Sequence, residues 1–293
     1  MSENINLIVE TDIGGDPDDF FALCYLFEAN VNIKAILISP GSPGQVAIVK
    51  FLLKELGKEN VLVGVGDRNK GPSVGGMHLD ILKKYKHPLT EKDDGLGKDI
   101  ISEVYTDDIE FFICGPIKSI GQYLSNNNQK ITRSTMQGGF IGYDIHGQNV
   151  PKLQKFENLT VCPTFNLGGD KKGAMEYIES KNILERNWIG KNICHTIIYD
   201  KNIHNIILSN KPKNRAKELF IEGMNIYLNK HSEKKFHDPS AAACMLHPEI
   251  ATWVKGKLYY DKGKYGTILD ENGDNIAINI DYDKLWEHIR LGE

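Results

Sequence analysis

The hydrophobic positions in the first third of the chain alternate between two rhythms. Residues 5–9 (INLIV) form a short continuous apolar run that ends at Glu10, and residues 33–39 (IKAILIS) and 61–65 (VLVGV) form two more. Runs of this length predict buried strands. Between them, residues 18–29 (DDFFALCYLFEA) and 45–57 (QVAIVKFLLKELG) carry apolar residues at helical spacing, and Gly57 suits the C′ position that closes the second helix. The pattern predicts βαβαβ. Strands that are apolar throughout imply a parallel sheet covered on both faces.

Beyond residue 65 the rhythm loosens. Residues 66–100 read as a long excursion with one helix near 77–86. Residues 109–114 (IEFFIC) and 131–136 (ITRSTM) predict strands, with a helix near 117–125 between them. Residues 138–169 read as loop-rich, and helices are expected at 170–180, 214–230 and 239–246, the last with Pro239 at N1. The short runs ATWVKG, KLYYD, GTILD and NIAIN, between residues 251 and 280, predict a small antiparallel element. Residues 270–275 (DENGDN) are its expected hairpin turn, and 282–290 a closing helix. No repeat, low-complexity tract or linker interrupts the chain. Residues 1–293 are therefore expected to form a single α/β domain with a mainly parallel, Rossmann-like sheet flanked by helices.

Composition narrows the class. With 293 residues, 41% of them hydrophobic, the chain can bury a large core and is not a disordered protein. A net charge of −4 argues against a nucleic-acid partner. No apolar run approaches the ~20 residues of a membrane span, and the N-terminus does not read as a signal peptide. The five cysteines (Cys24, Cys114, Cys162, Cys194 and Cys244) show no zinc spacing and are expected to be buried free thiols in a cytoplasmic protein.

The densest chemistry follows the first strand. Residues 10–19 (ETDIGGDPDD) hold five carboxylates, Glu10, Asp12, Asp16, Asp18 and Asp19. They leave the C-terminal end of a buried strand, where open α/β sheets place ligands. Carboxylates this close repel one another, and a hard cation with oxygen ligands, Ca²⁺ or Mg²⁺, would offset that repulsion. The loop lacks Cys and His, which disfavours zinc. At least one of these acids, with Asp18 best placed, is expected to cap the next helix. An aspartyl phosphatase is disfavoured, because Glu10 stands where its nucleophile would be and no phosphate-binding glycine loop follows.

ETDIGGDPDDFFAL resembles the N-terminal signature of the nucleoside hydrolase family, the inosine-uridine-preferring N-ribohydrolases. GPIKSI (115–120), MQGGF (136–140), FNLGGD (165–170) and Phe236-His237-Asp238-Pro239 resemble further segments of that family, in the family's order. The resemblance implies Ca²⁺-dependent cleavage of an N-ribosidic bond. Asp12 would be a Ca²⁺ ligand and the base for the attacking water. Asp19 would be a bidentate ligand, Asp238 the distant one, and Lys118 a ligand through its backbone carbonyl. Asp18, with Asp16 as an alternative in a loop two residues longer than the family's shortest, would bind a ribose hydroxyl. Asn166 would contact the ribose, and His237 would lie near the leaving base and help protonate it. A homodimer or homotetramer is also implied.

The chain departs from the family at Glu10, at Ser42, at Thr164, where many members carry a glutamate on the ribose 5′-hydroxyl, and at a histidine missing before Asp94-Gly-Leu-Gly97. These changes lie around the base and the 5′ end. The expected substrate is therefore a 5′-substituted nucleoside, or one with a modified, queuosine-like base. Aromatic candidates for stacking on that base are Phe140, Tyr143, Phe156, Tyr227, Trp253, Tyr259 and Tyr260, with Tyr227 favoured for its place before His237. Segments 71–95 and 228–236 read as lids. Rival readings are a metal-dependent phosphoesterase and a nucleoside- or sugar-binding protein with a dead site.

Overall fold

The computed structural model describes residues 5–68, 74–142, 145 and 153–292. Its strands in chain order are β1 (Asn6–Thr11), β2 (Asn32–Ile38), β3 (Leu62–Val65), β4 (Gly95–Leu96), β5 (Ile109–Ile113), β6 (Ile131–Gln137), β7 (Ile183–Ile189), β8 (Ile198–Asp200), β9 (Glu233–Lys235), β10 (Ala251–Asp261), β11 (Lys264–Leu269) and β12 (Asp274–Ile280). Ten of them form one sheet in the order β11-β10-β12-β7-β6-β5-β1-β2-β3-β4, and β8 pairs with β9 in a separate antiparallel ribbon. From β12 to β4 every pairing is parallel, and only β10 and β11 run antiparallel to their neighbours. The chain winds outward from β1 through β2 and β3, then returns to β5 on the other side of β1. The C-terminal end of β1 is thus a topological switch point, where a crevice opens.

The predicted α/β sheet is present, with corrections at its C-terminal end. ATWVKG and KLYYD are one strand, β10. Residues 270–275 do not close a hairpin, because β11 and β12 lie on opposite sides of β10. The reason is burial: β12 pairs in parallel with β7, and Ile276 and Ala277 enter the core beside Trp188. β7 itself lies in a stretch, residues 181–213, for which the sequence pattern gave no expectation. It reads ILERNWI and mixes exposed Leu184 with buried Trp188.

The helix starts differ too. Helix α1 (Asp18–Glu28) has Pro17 at its N-cap and no side-chain cap, so no acid of the loop serves that way. Asp18 and Asp19 are its first two residues instead, where the helix's positive end faces their charge. α2 (Pro43–Glu55) opens with a capping box between Ser42 and Gln45, and Gly57 follows it at φ +62° as expected. α3 (Gly76–Lys84), α4 (Gly97–Val104), α5 (Ser119–Leu124), α6 (Phe165–Gly169), α7 (Lys171–Glu179), α8 (Lys191–Cys194), α9 (Lys201–Leu208), α10 (Arg215–Leu228), α11 (His237–Leu246) and α12 (Tyr282–Leu291) follow. α11 begins two residues before the expected start, which moves Pro239 to the third helical position, still in the turn that needs no donor. All five cysteines are free and buried. Among the described residues no helix is long and apolar enough to cross a membrane.

Glu10 ties the sheet to α5. Its fully buried carboxylate accepts from the backbone N–H groups of Lys118 (3.0 Å), Ser119 (2.7 Å) and Ile120 (3.1 Å), and from the Ser39 hydroxyl. Burial raises its pKa to about 7 against the pull of these bonds. The side chain that departs from the family signature is therefore a structural anchor. Glu10→Ala would strand three buried donors and is expected to cost about 3 kcal/mol in urea unfolding. A loss below about 1 kcal/mol would show that α5 is held by other means.

Candidate active site

The loop after β1 is fixed from several sides. Gln45 accepts from the Ser42 N–H (2.8 Å) while its amide donates to the Asp12 carbonyl (3.2 Å), so the α2 capping box also holds the loop. Ser42, one of the expected departures from the family, is part of that cap. Asp19 accepts from the Asp12 N–H (3.2 Å), the Thr11 hydroxyl (2.5 Å) and the Cys114 thiol (3.8 Å). Asp238, the second residue of α11, brings a carboxylate oxygen to this group: ligand atoms of Asp19, Cys114 and Asp238 lie within 4.8 Å of one another.

Burial is the largest cause of the shifts here, and mutual repulsion adds to it. Asp12 is pushed up to about 8, by burial and then by the charges of Asp18 and Asp16. Asp19 and Asp238 rise well above the usual carboxylate range for the same two reasons. Burial also pushes the Cys114 thiol up, as do the charges of Asp238, Asp19 and Asp12. The sulfur thus stays protonated and donates to Asp19, and the group presents carboxylate oxygens. That donor set fits a hard divalent cation.

Asp18 behaves in the opposite way. Burial opposes its ionisation, but the His237 hydrogen bond and the nearby Lys234 ammonium hold it below the usual range. His237 Nδ1 is 3.2 Å from Asp18, and Lys234 Nζ is 2.7 Å from Asp16 and 3.4 Å from Asp18. Lys234 lies in β9 and its side chain is only 4% exposed. The sequence reading missed it and took segment 228–236 for a lid. The pairing of β9 with β8 and the buried ion pairs tie that segment down. The available signal was weak: in EKKFHDP one lysine precedes the apolar Phe236 by two, the spacing of one strand face.

The other expected residues fall around this core. His237 opens α11, and its Nε2 is buried without a partner among the described residues. Its ring lies 4.7 Å from that of His195, a histidine the sequence did not suggest; His195 meets Phe156 at 5.4 Å, and Phe156 meets Phe140 at 5.4 Å. Asn166, in α6, donates to the backbone carbonyl (2.9 Å) and side-chain oxygen (2.8 Å) of Gln137 at the end of β6. Thr164 is buried just before α6, and its hydroxyl has no partner among the described residues. Tyr227 stacks on His231 at 4.4 Å and feels the charges of Lys234, Asp16 and Asp18. Trp253 bonds to the Pro248 carbonyl, and Tyr260 packs on Tyr265. Tyr143 and residues 71–73 of the expected lid lie outside the described residues. The Lys118 backbone N–H is held by Glu10, and its amine pairs with Asp67 and lies 3.9 Å from Asp170, away from the acidic group.

Comparison with known proteins gives the chain its class, that of the N-glycosyl hydrolases acting on nucleosides. The chain belongs to the inosine-uridine preferring nucleoside hydrolase family, whose profile matches residues 7–287. An uncharacterized protein of Aquifex aeolicus (strain VF5) is 25% identical over 292 residues, covering 95% of this chain and 94% of its own. Among solved structures, a plant nucleoside hydrolase superposes with a TM-score of 0.74 at 16% identity, covering 99% of both chains. An inosine-uridine preferring nucleoside hydrolase from Bacillus anthracis gives 0.70 at 14% identity, covering 98% of both. At such identities the structural likeness establishes the fold.

Two outcomes follow from the charges. Groups whose folded pKa is raised, Asp12 from 3.8 to about 8 and Glu10 from 4.5 to about 7, lend stability at low pH that is lost as pH rises through the folded value. His78 and His195, lowered to about 4 and about 3 chiefly by burial, act in the opposite sense, but only below their ordinary 6.5. Metal-free protein should therefore lose thermal stability between pH 6.5 and about 8, and added Ca²⁺ should raise the midpoint more at pH 8 than at 6.5. A flat metal-free profile with no cation effect would contradict the buried acidic group. Separately, Lys234→Met removes the ammonium from two acids and should cost about 3 kcal/mol in urea unfolding. A change within about 0.5 kcal/mol would show the pairs to be idle.

Proposed function

We propose that the chain hydrolyses the N-glycosidic bond of a ribonucleoside with Ca²⁺ as its resident cation, releasing free base and a ribose product. Asp12, Asp19 and Asp238 would hold the cation, with the Lys118 carbonyl as the fourth protein ligand that the family resemblance implies. When bound, the cation neutralises the acidic group and lowers the pKa of a coordinated water. Asp12 is the base: its carboxylate takes a proton from the attacking water, whose oxygen bonds to C1′ while the C1′–N electron pair leaves with the base. The leaving nitrogen then takes up a proton, for which the unpartnered His237 Nε2 is available. Asp18, kept ionised by His237 and Lys234, accepts hydrogen bonds from ribose hydroxyls, with Asn166 as the further ribose contact that the resemblance implies and Asp16 as the alternative to Asp18. The anionic surroundings favour the positive charge that develops on the ribose.

The observation that carries this reading is the split in the acidic group. One aspartate is stabilised as an anion next to a histidine with a spare nitrogen, while Asp12, Asp19 and Asp238 repel one another, the last two meeting beside the Cys114 thiol. The departures at Thr164 and Ser42 point to a 5′-substituted or queuosine-like nucleoside. The resemblance also implies a homodimer or homotetramer, which light scattering would read directly.

The test is chromatography of reactions with purine, pyrimidine, 5′-phosphorylated and 7-deazaguanine nucleosides, with and without a calcium chelator. Free base should appear, disappear with chelator and return with Ca²⁺, and Asp12→Ala should slow its release by roughly 10²–10⁴-fold. Inorganic phosphate without free base would make the protein a phosphoesterase. No product from any member, with Ca²⁺ bound, would make it a binding protein.

A further inference from the structure

The acidic floor of the site is bordered by cations that hydrolysis of a plain nucleoside does not use. Lys155 and Lys191 lie over the ring of Phe156, 4.8 and 5.8 Å from its centroid. Lys155 Nζ is 2.8 Å from His195 Nδ1, and since an ammonium only donates, the imidazole nitrogen accepts. Lys235, next to buried Lys234, adds its charge to both Lys155 and His195. Among the described residues, none of these three lysines has a carboxylate partner. Uncompensated charge of one sign at the mouth of a cleft attracts the opposite sign.

Two contacts join this rim to the site. His195 reaches His237 ring to ring at 4.7 Å, and His237 reaches Asp18. On the other side Lys191 donates to the Pro163 carbonyl (2.9 Å), which adjoins Thr164. Thr164 is 5% exposed, and its hydroxyl lacks a partner among the described residues. A buried hydroxyl without a partner carries a cost that a ligand oxygen would remove.

We propose that Lys155, Lys191 and Lys235, with the Thr164 hydroxyl, bind an anionic oxygen group of the substrate, and that the enzyme prefers a nucleoside 5′-phosphate to the neutral nucleoside. This rests on the hydrolytic reading of the same site. The ribose diol goes to the aspartates, which repel a phosphate, so the anion belongs at the opposite end of the sugar, against the lysines. A carboxylate carried on the base shares the chemistry and forms a separate arm of the test.

The test compares one nucleoside with its 5′-monophosphate and with a base-carboxylated analogue, by base release and by calorimetric binding. At low salt the 5′-monophosphate should show at least about tenfold higher kcat/KM than the neutral nucleoside. The ratio should shrink as ionic strength rises from about 0.01 M to about 1 M, where screening shortens from about 30 Å to about 3 Å. Replacing the three lysines together by glutamine, or Thr164→Glu alone, should bring the ratio toward one. Equal handling of the pair, a preference for the neutral nucleoside, or an advantage confined to the base-carboxylated analogue overturns the proposal. If no base is released but the 5′-monophosphate still binds more tightly, the rim stands and the hydrolytic reading falls.

Discussion

Everything at this site depends on the cost of placing aspartates out of water against one another. Asp12, Asp18, Asp19 and Asp238 come from two distant parts of the chain and meet at one end of the sheet. Each carboxylate is opposed by burial, and each makes its neighbours harder to ionise. The protein relieves this repulsion unevenly. Lys234 and His237 attend to Asp18, and Lys234 also to Asp16. Among the described residues no salt bridge reaches Asp12, Asp19 or Asp238. Lys234 and His237 therefore divide the cluster: Asp18 is held as an anion, while Asp12, Asp19 and Asp238 are pushed toward the protonated form.

That division is delivered by the scaffold. The winding order puts the end of β1 between β2 and β5, so the loop emerges in a crevice rather than on a covered face. Glu10 fixes the start of α5, and Gln45 fixes the Asp12 carbonyl, so two neighbouring helices hold the loop. α11 packs against α1 and starts at His237, which sets His237 and Asp238 at the same helical turn. A capping box, a buried anchor and a helix start are ordinary local devices. Their convergence puts His237 within hydrogen-bond reach of Asp18.

The acidic loop was legible because its residues are contiguous and their chemistry is unusual at that density. The early strands were legible because their apolar runs are unbroken. β7 was not, because its alternation of Leu184, Arg186 and Trp188 mixes polar and apolar residues on a strand buried by its neighbours. The hairpin reading of 270–275 failed for a related reason: local turn chemistry cannot announce that a third strand will insert between the two it joins. Lys234 was illegible because a lysine in a polar stretch reads as solvated surface. Only the two carboxylates it meets across the fold make it a buried residue.

The same argument applies to Lys155, Lys191 and Lys235. They stand far apart in the chain, with no basic run to announce them, and a net charge of −4 conceals them further. Folding brings Lys155 and Lys191 to one ring, Phe156, beside His195, with the charge of Lys235 acting on both Lys155 and His195. An acidic floor and a basic rim in one cleft set up a field that a neutral ligand cannot exploit along its whole length. A substrate with a diol at one end and an anion at the other would match both signs at once. The same field would oppose that substrate in the reversed orientation, because its anion would then meet the aspartates. Charge layout would thereby fix which end of the sugar enters first, before any contact with the base is made.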